Sequence, residues 1–244
     1  MSLWIGTSGF QYPEWKPAFY PADLPTKRML PFYAQQFSTT EINYTFRRIP
    51  SESTLLNWKE ATPATFKFSF KAPQRITHFA RLRDCGPIFN DFINAISEMK
   101  TKLGPVLLQL PPNFQKDLAR LGAFLEEVSS SVRIAFEFRH ASWFDDEIFS
   151  ILAQHKAALC VAESEDLATP PTSTTSFGYL RLRREDYTRK DIERWAEFIQ
   201  GQSKWRETFI YFKHEEKALG PQFARQMIDS LEKKSAIAKR GMRS

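Results

Sequence analysis

Two glutamates, Glu41 in TTEIN and Glu137 in IAFEFR, stand inside apolar runs, and neighbouring runs carry Lys71, Arg139, Arg181, Arg183 and Lys213. Carboxylates close to cations can exchange protons, and the cations can hold a phosphate or carboxylate through charge-assisted hydrogen bonds. Glu137 and Glu41 are therefore the candidate catalytic acid/base residues. Cations favour the ionised carboxylate, so Glu137 suits a base better than an acid. The five basic residues are candidate anion ligands. Ionised groups inside apolar surroundings cost several kcal/mol each unless paired, so this density of charge implies either a ligand site or a closed ion network.

The spacing says which elements must position these groups. FKFSFK (66–71), IAFEFR (134–139) and YLRLRR (179–184) alternate apolar and polar residues with a period of two, which is strand periodicity. Strand-like runs occupy 3–7, 40–45, 66–71, 105–110, 133–138, 158–162, 179–183 and 209–213. Most gaps hold an amphipathic helical stripe, such as Leu118, Leu121, Phe124, Leu125 and Val128, or Ile192, Trp195, Phe198 and Ile199. Asp117, Asp145 and Thr188 are candidate N-caps, and Pro221 suits a first helical turn. After the sixth run, DLATPPTSTTS discourages a helix and predicts a loop. Eight strands alternating with about seven helices predict an α/β fold, a single TIM-type (β/α)8 barrel whose sixth helix is missing or rudimentary. An open doubly wound sheet would more often carry a Gly-rich first turn.

In such a barrel the helices cover the apolar strand face, so the other parity points into the lumen. That puts Glu41, Asn43 and Thr45, then Lys67, Ser69 and Lys71, then Gln109, Glu137, Arg139, Tyr179, Arg181, Arg183, Tyr211 and Lys213 inside. The parity of Trp4, Gly6, Ser8 and Glu163 is ambiguous. Six basic residues against two acids leave an excess of positive charge, concentrated toward the C-terminal mouth where barrel enzymes keep their active sites. The loops after the strands bring Tyr12, Trp15, His78, Phe114, His140 and Trp143 to the same rim, where aromatic rings could stack on a base or a sugar. No metal set is assigned, because the four histidines show neither HxH nor HExxH spacing; Glu137, His140 and Glu163 are the one conceivable convergence. No phosphate-binding Gly-rich loop occurs, and no motif names a cofactor.

At 244 residues with 42% hydrophobic content the chain matches one barrel, expected over residues 1–234, followed by a basic tail at 235–244. Part of the net charge of +6 lies in that tail, which is expected to be peripheral. Cys85 and Cys160 lack metal spacing and predict no disulfide. No run approaches the ~20 apolar residues of a membrane span, and no secretory leader opens the chain, so a cytoplasmic protein without a membrane partner is expected. Oligomeric state is not readable from the pattern.

The blocks WIGTSGFQYPEWKPAFYP, TTEINYTFRR, FKFSFKAPQRITH, LLQLPPNF, EFRHASW and YLRLR, in this order over most of the chain, resemble the domain of unknown function 72 family, also called YecE-like proteins. The resemblance implies a TIM-type barrel and no particular reaction or cofactor. Two places depart from the family pattern: Arg183 and Arg184 stand where a His-Gly pair is expected, and Phe212, Lys213 and His214 where an Asn-rich run is common. Both changes make the rim more basic. The expectation is an enzyme acting on an anionic, phosphate- or carboxylate-bearing small molecule, with nucleic-acid binding or processing, or a non-catalytic anion-binding barrel, as the alternatives.

Overall fold

Alternation along the strands separates two apolar layers. The computed structural model describes residues 1–128, 132–163, 167–213 and 216–241, with side chains as far as 233. Strands β1 (Ser2–Ser8), β2 (Thr39–Ile42), β3 (Lys67–Lys71), β4 (Leu103–Gln109), β5 (Ile134–Glu137), β6 (Ala158–Glu163), β7 (Phe177–Leu182) and β8 (Glu207–Phe212) close in sequence order into one barrel. All eight neighbouring pairs are parallel. Phe66, Phe68, Phe70, Leu108, Phe136, Val161, Leu180 and Ile210 join the layer beneath the helices. Trp4, Leu107, Ala135, Cys160, Tyr179, Phe209 and Tyr211 form a second cluster inside the barrel. Each buried phenylalanine of the outer layer contributes about 1.5–3 kcal/mol, enough for the apolar parity to fix which face looks inward.

The helices are α1 (Met29–Gln36), α2 (Glu52–Glu60), α3 (Gly86–Ile96), α4 (Leu118–Glu127), α5 (Asp146–Gln154), α6 (Arg189–Gln200) and α7 (Leu219–Gly241). Asp117, Asp145 and Thr188 cap α4, α5 and α6 as their side-chain types predict, and Thr188 forms a reciprocal capping box with Asp191. Residues 167–176, between β6 and β7, contain no helix. Their hydroxyl groups hold β6 instead. Thr174 Oγ1 accepts from Leu159 N at 2.9 Å and donates to Ala157 O at 2.8 Å, and Thr169 Oγ1 accepts from Ala162 N at 3.2 Å. No helix among the described residues is long and apolar enough to cross a membrane.

The strand ends differ from expectation at the mouth. β2 stops at Ile42, so Asn43 and Thr45 belong to a 3-10 turn, Tyr44–Phe46, and not to the barrel wall. The Thr45 hydroxyl fixes this turn, lying 3.1 Å from Ile42 O and 2.6 Å from Lys71 O. Arg139, Arg183 and Lys213 likewise stand just past the last residues of β5, β7 and β8. Trp4 joins the lumen cluster, whereas Glu163 turns outward and accepts from Trp195 Nε1 of α6 at 2.9 Å. At the C-terminus the backbone stays helical to Gly241, beyond the start of the expected tail. The side chains of Lys239 and Arg240, and residues His214 and Arg243, lie outside the described residues.

Candidate functional site

Inward parity on β2, β5 and β7 brings Glu41, Glu137, Tyr179 and Arg181 together, all of them buried. Arg181 bridges the two carboxylates. Its Nη1 donates to Glu137 Oε2, while Nη2 and Nε donate to Glu41 Oε1 at 2.9 and 3.2 Å. Glu41 also accepts from Ser8 Oγ and, at 2.6 Å, from the Tyr179 hydroxyl. Glu137 accepts from Gln109 Nε2 at 2.9 Å and from Arg139 Nε at 2.8 Å, with Arg183 Nη1 at 3.7 Å.

The electrostatics follow from these contacts. Burial pushes the Glu137 carboxyl up, but the charges of Arg181, Arg139 and Arg183 outweigh it and hold the group well below the usual carboxylate range. Burial would ease the proton off Arg181, yet Glu137 and Glu41 raise its pKa further still. Burial, and then Glu41, raise Tyr179, so its hydroxyl remains a neutral donor. Arg183 moves the other way, lowered first by burial and then by the like charge of Arg139. Its Nε is buried and has no hydrogen-bond partner.

Above this network lies a cavity of about 450 Å³ lined by Tyr12, Asn43, Tyr44, Phe46, Arg47, Lys71, Gln109, Arg139, Arg181 and Lys213. Five of these residues are basic, and no acidic residue is among the described ones that line it. Lys71 Nζ donates to Gln109 Oε1 at 2.7 Å and sits 4.0 Å from the centre of the Phe46 ring. A smaller recess of about 170 Å³, containing Glu137, Arg139 and Arg183, shares Arg139 with it. A further cavity of about 530 Å³, around Arg133, His155 and Phe177, borders the opposite, N-terminal ends of β5 and β7. That face of a barrel usually serves stability. The cation Lys67 belongs at that end too, 5.5 Å from the centre of the Trp4 ring, whose Nε1 donates to Glu207. Glu207 also pairs with Arg133, so Lys67 adds nothing to the charge at the mouth.

Several expected rim residues have other tasks. Trp15 is buried among Tyr12, Phe19 and Tyr20. Trp143 stacks on Phe138 at 4.7 Å and donates from Nε1 to Phe114 O at 2.6 Å. An indole buries more apolar area than most side chains, and here that area covers the ends of the core, leaving no face for a base. His140 Nδ1 accepts from Ser142 N at 3.2 Å, capping the turn Ala141–Trp143, and does not line the cavity. His78 packs edge-on to Phe46 at 4.8 Å, behind the cavity wall, where burial and then Lys71 lower its pKa. With Glu163 outward and His140 in a cap, the conceivable metal set does not converge, and no other group of three potential ligands occurs among the described residues. Sequence reasoning missed Tyr44, Phe46 and Arg47 as cavity walls. Their signal was the aromatic-basic run NYTFRR directly after a strand.

A family model described as "Protein of unknown function DUF72" matches residues 4–243. UPF0759 protein YecE of Escherichia coli (strain K12) is 30% identical over 143 residues, 58% of this chain and 50% of that protein. UPF0759 protein YunF of Bacillus subtilis (strain 168) is 26% identical over 155 residues, 60% of this chain and 54% of that protein. The chain thus spans about half the length of the curated relatives it matches. The crystal structure of a DUF72 family protein from Thermotoga maritima matches with a TM-score of 0.82 at 26% identity, over 95% of this chain and 100% of that one. One from Enterococcus faecalis V583 shares the fold at a TM-score of 0.73 and 17% identity, over 95% and 98% of the two chains.

Proposed function

The chain belongs to the DUF72 family, and from that premise we propose that it is an enzyme acting on an anionic small molecule, bearing a phosphate or carboxylate, at the C-terminal mouth of its barrel. The observation that carries this reading is the cavity whose lining among the described residues includes Arg47, Lys71, Arg139, Arg181 and Lys213 and no acidic residue. Its volume of about 450 Å³ is of metabolite size. Guanidinium groups crowded against one another gain most when an anion enters, and Arg183 beside Arg139 is such a case.

Glu137 and Glu41 serve this site as its anionic foundation. A carboxylate kept ionised by three guanidinium groups accepts a further proton poorly, so Glu137 orients Arg181, Arg139 and Gln109 more readily than it transfers protons. This departs from the acid/base roles expected for the pair. The nucleic-acid reading draws on one feature, the exposed Tyr44 next to the exposed Arg47 at the rim.

Titration calorimetry with inorganic phosphate, small phosphate esters, dicarboxylates and short single-stranded oligonucleotides at two salt concentrations tests both readings. A small anion should bind, and Arg47→Ala or Lys213→Met should weaken it by about 1.5–3 kcal/mol, the scale of a hydrogen bond to a charged group. Steeply salt-dependent binding of oligonucleotides alone would favour nucleic acid. Binding of neither class would overturn the anion site.

A further inference from the structure

Lys71 differs from the three guanidinium groups gathered on Glu137. Arg139, Arg181 and Arg183 each pair with Glu137. No carboxylate among the described residues forms an ion pair with Lys71, whose hydrogen-bond partner is the neutral Gln109 carbonyl and whose other close neighbour is the Phe46 ring. The orientation of Gln109 is fixed from behind, because its Nε2 donates to Glu137 Oε1 and Oε1 must therefore face the amine. A neutral amine can still donate to that oxygen, more weakly than NH3⁺ does, so losing a proton keeps the contact and frees a lone pair. The charged groups acting on Nζ are Arg181 on β7, Glu137 and Arg139 on and after β5, and Glu41 on β2, and the titratable imidazole of His78 stands in the turn after β3. Burial, then the charge of Arg181, bring the amine down to about 7, against the pull of Glu137 and Glu41.

We propose that Lys71 is a nucleophile that forms an imine with the carbonyl carbon of an aldehyde or ketone whose anionic group is held by the guanidinium groups of the same cavity. This rests on the anion reading above and adds a reaction class to it. The Nζ lone pair adds to the carbonyl carbon as the C=O π pair moves to oxygen, which faces a cavity lined by Arg139 and Arg181. Both amine protons then leave with that oxygen as water while nitrogen and carbon form the double bond. Amine and carbonyl become imine and water, with no oxidant or reductant. An ordinary lysine is neutral to only about one part in 2,500 at pH 7, whereas one titrating there is half neutral.

The test uses the wild-type chain with pyridoxal 5′-phosphate or glyoxylate as probes, borohydride reduction to trap any imine, and peptide mapping by mass spectrometry. At pH 7 Lys71 should be labelled on the order of a hundredfold faster than the median lysine of the chain, the gain in neutral fraction being partly offset by lower basicity. The rate should rise with pH through a midpoint about 7, Lys71→Met should lose the fast phase, and inorganic phosphate should slow labelling by pyridoxal 5′-phosphate. The two carbonyl probes separate a phosphate-directed from a carboxylate-directed site. Lys71 labelled no faster than other lysines, while calorimetry still detects anion binding, would overturn the nucleophile and leave the anion site standing. Fast labelling that neither phosphate nor acetate slows, together with no calorimetric anion binding, would overturn the anion site and the imine proposal with it.

Discussion

Arg181 gathers two buried carboxylates, and Glu137 repeats the arrangement in reverse by gathering three guanidinium groups. Removing one partner from such a buried pair leaves the others uncompensated. Glu137→Gln should therefore lower folding stability by ~3–5 kcal/mol in chemical denaturation. Because its folded pKa lies below that of an unfolded glutamate, near 4.3, the contribution of Glu137 is fully present above about pH 4.3 and is lost as pH falls further. Lys71 has a slope of the same sign in a higher pH window. Below about pH 7 the amine is protonated in folded and unfolded chains alike; between 7 and its ordinary value of 10.5 only the unfolded chain holds the proton. Across that window wild-type stability should rise relative to Lys71→Met, and a flat difference would show that Lys71 titrates normally.

Two irregular elements bear on the barrel wall. The turn Tyr44–Phe46 supplies one wall of the cavity and is tied to the end of β3 through the Thr45 hydroxyl. The segment without a helix between β6 and β7 offers threonine hydroxyls to backbone groups at both ends of β6, Thr174 at the N-terminal end and Thr169 at the C-terminal end. β6 pairs with β5 through only two residue pairs, which makes those hydroxyl contacts important to its position. Thr174→Val keeps the shape but leaves Leu159 N and Ala157 O without this partner, and should cost about 1–3 kcal/mol in urea denaturation. Unchanged stability would mean that water replaces the hydroxyl at no cost.

At the scale of the whole molecule, closure of the sheet removes every exposed strand edge and gives the barrel two chemically different ends. At the N-terminal end Glu207 is paired to Arg133 and bonded to Trp4, with Lys67 close by. The C-terminal end keeps its excess of basic groups around a cavity. The basic residues beyond 234 carry further charge, and their side chains lie outside the described residues. Deleting residues 235–244 should leave the melting temperature nearly unchanged; a large drop would show that the last turns of α7 dock on the barrel.

The alternation in FKFSFK, IAFEFR and YLRLRR by itself determined those strands, the face each turns inward and hence the membership of Lys71, Glu137 and Arg181 in one lumen, because side chains in a strand change face at every residue. The caps of α4, α5 and α6 and the missing sixth helix were legible for the same reason: each is a local preference of a few adjacent residues. Only the tertiary structure decided which charges neutralise one another. Glu41 and Arg181 are separated by 140 residues, and Glu207 joins Arg133 across 74, distances along the chain over which no periodicity carries pairing. The same holds for Trp15 and Trp143, whose burial depends on what packs over them, and for Glu163, whose single step along β6 turns it from the lumen to α6. Lys71 joins the two levels: its place on β3 was written in the alternation, whereas only the tertiary structure set the neutral Gln109, and no carboxylate among the described residues, against its amine.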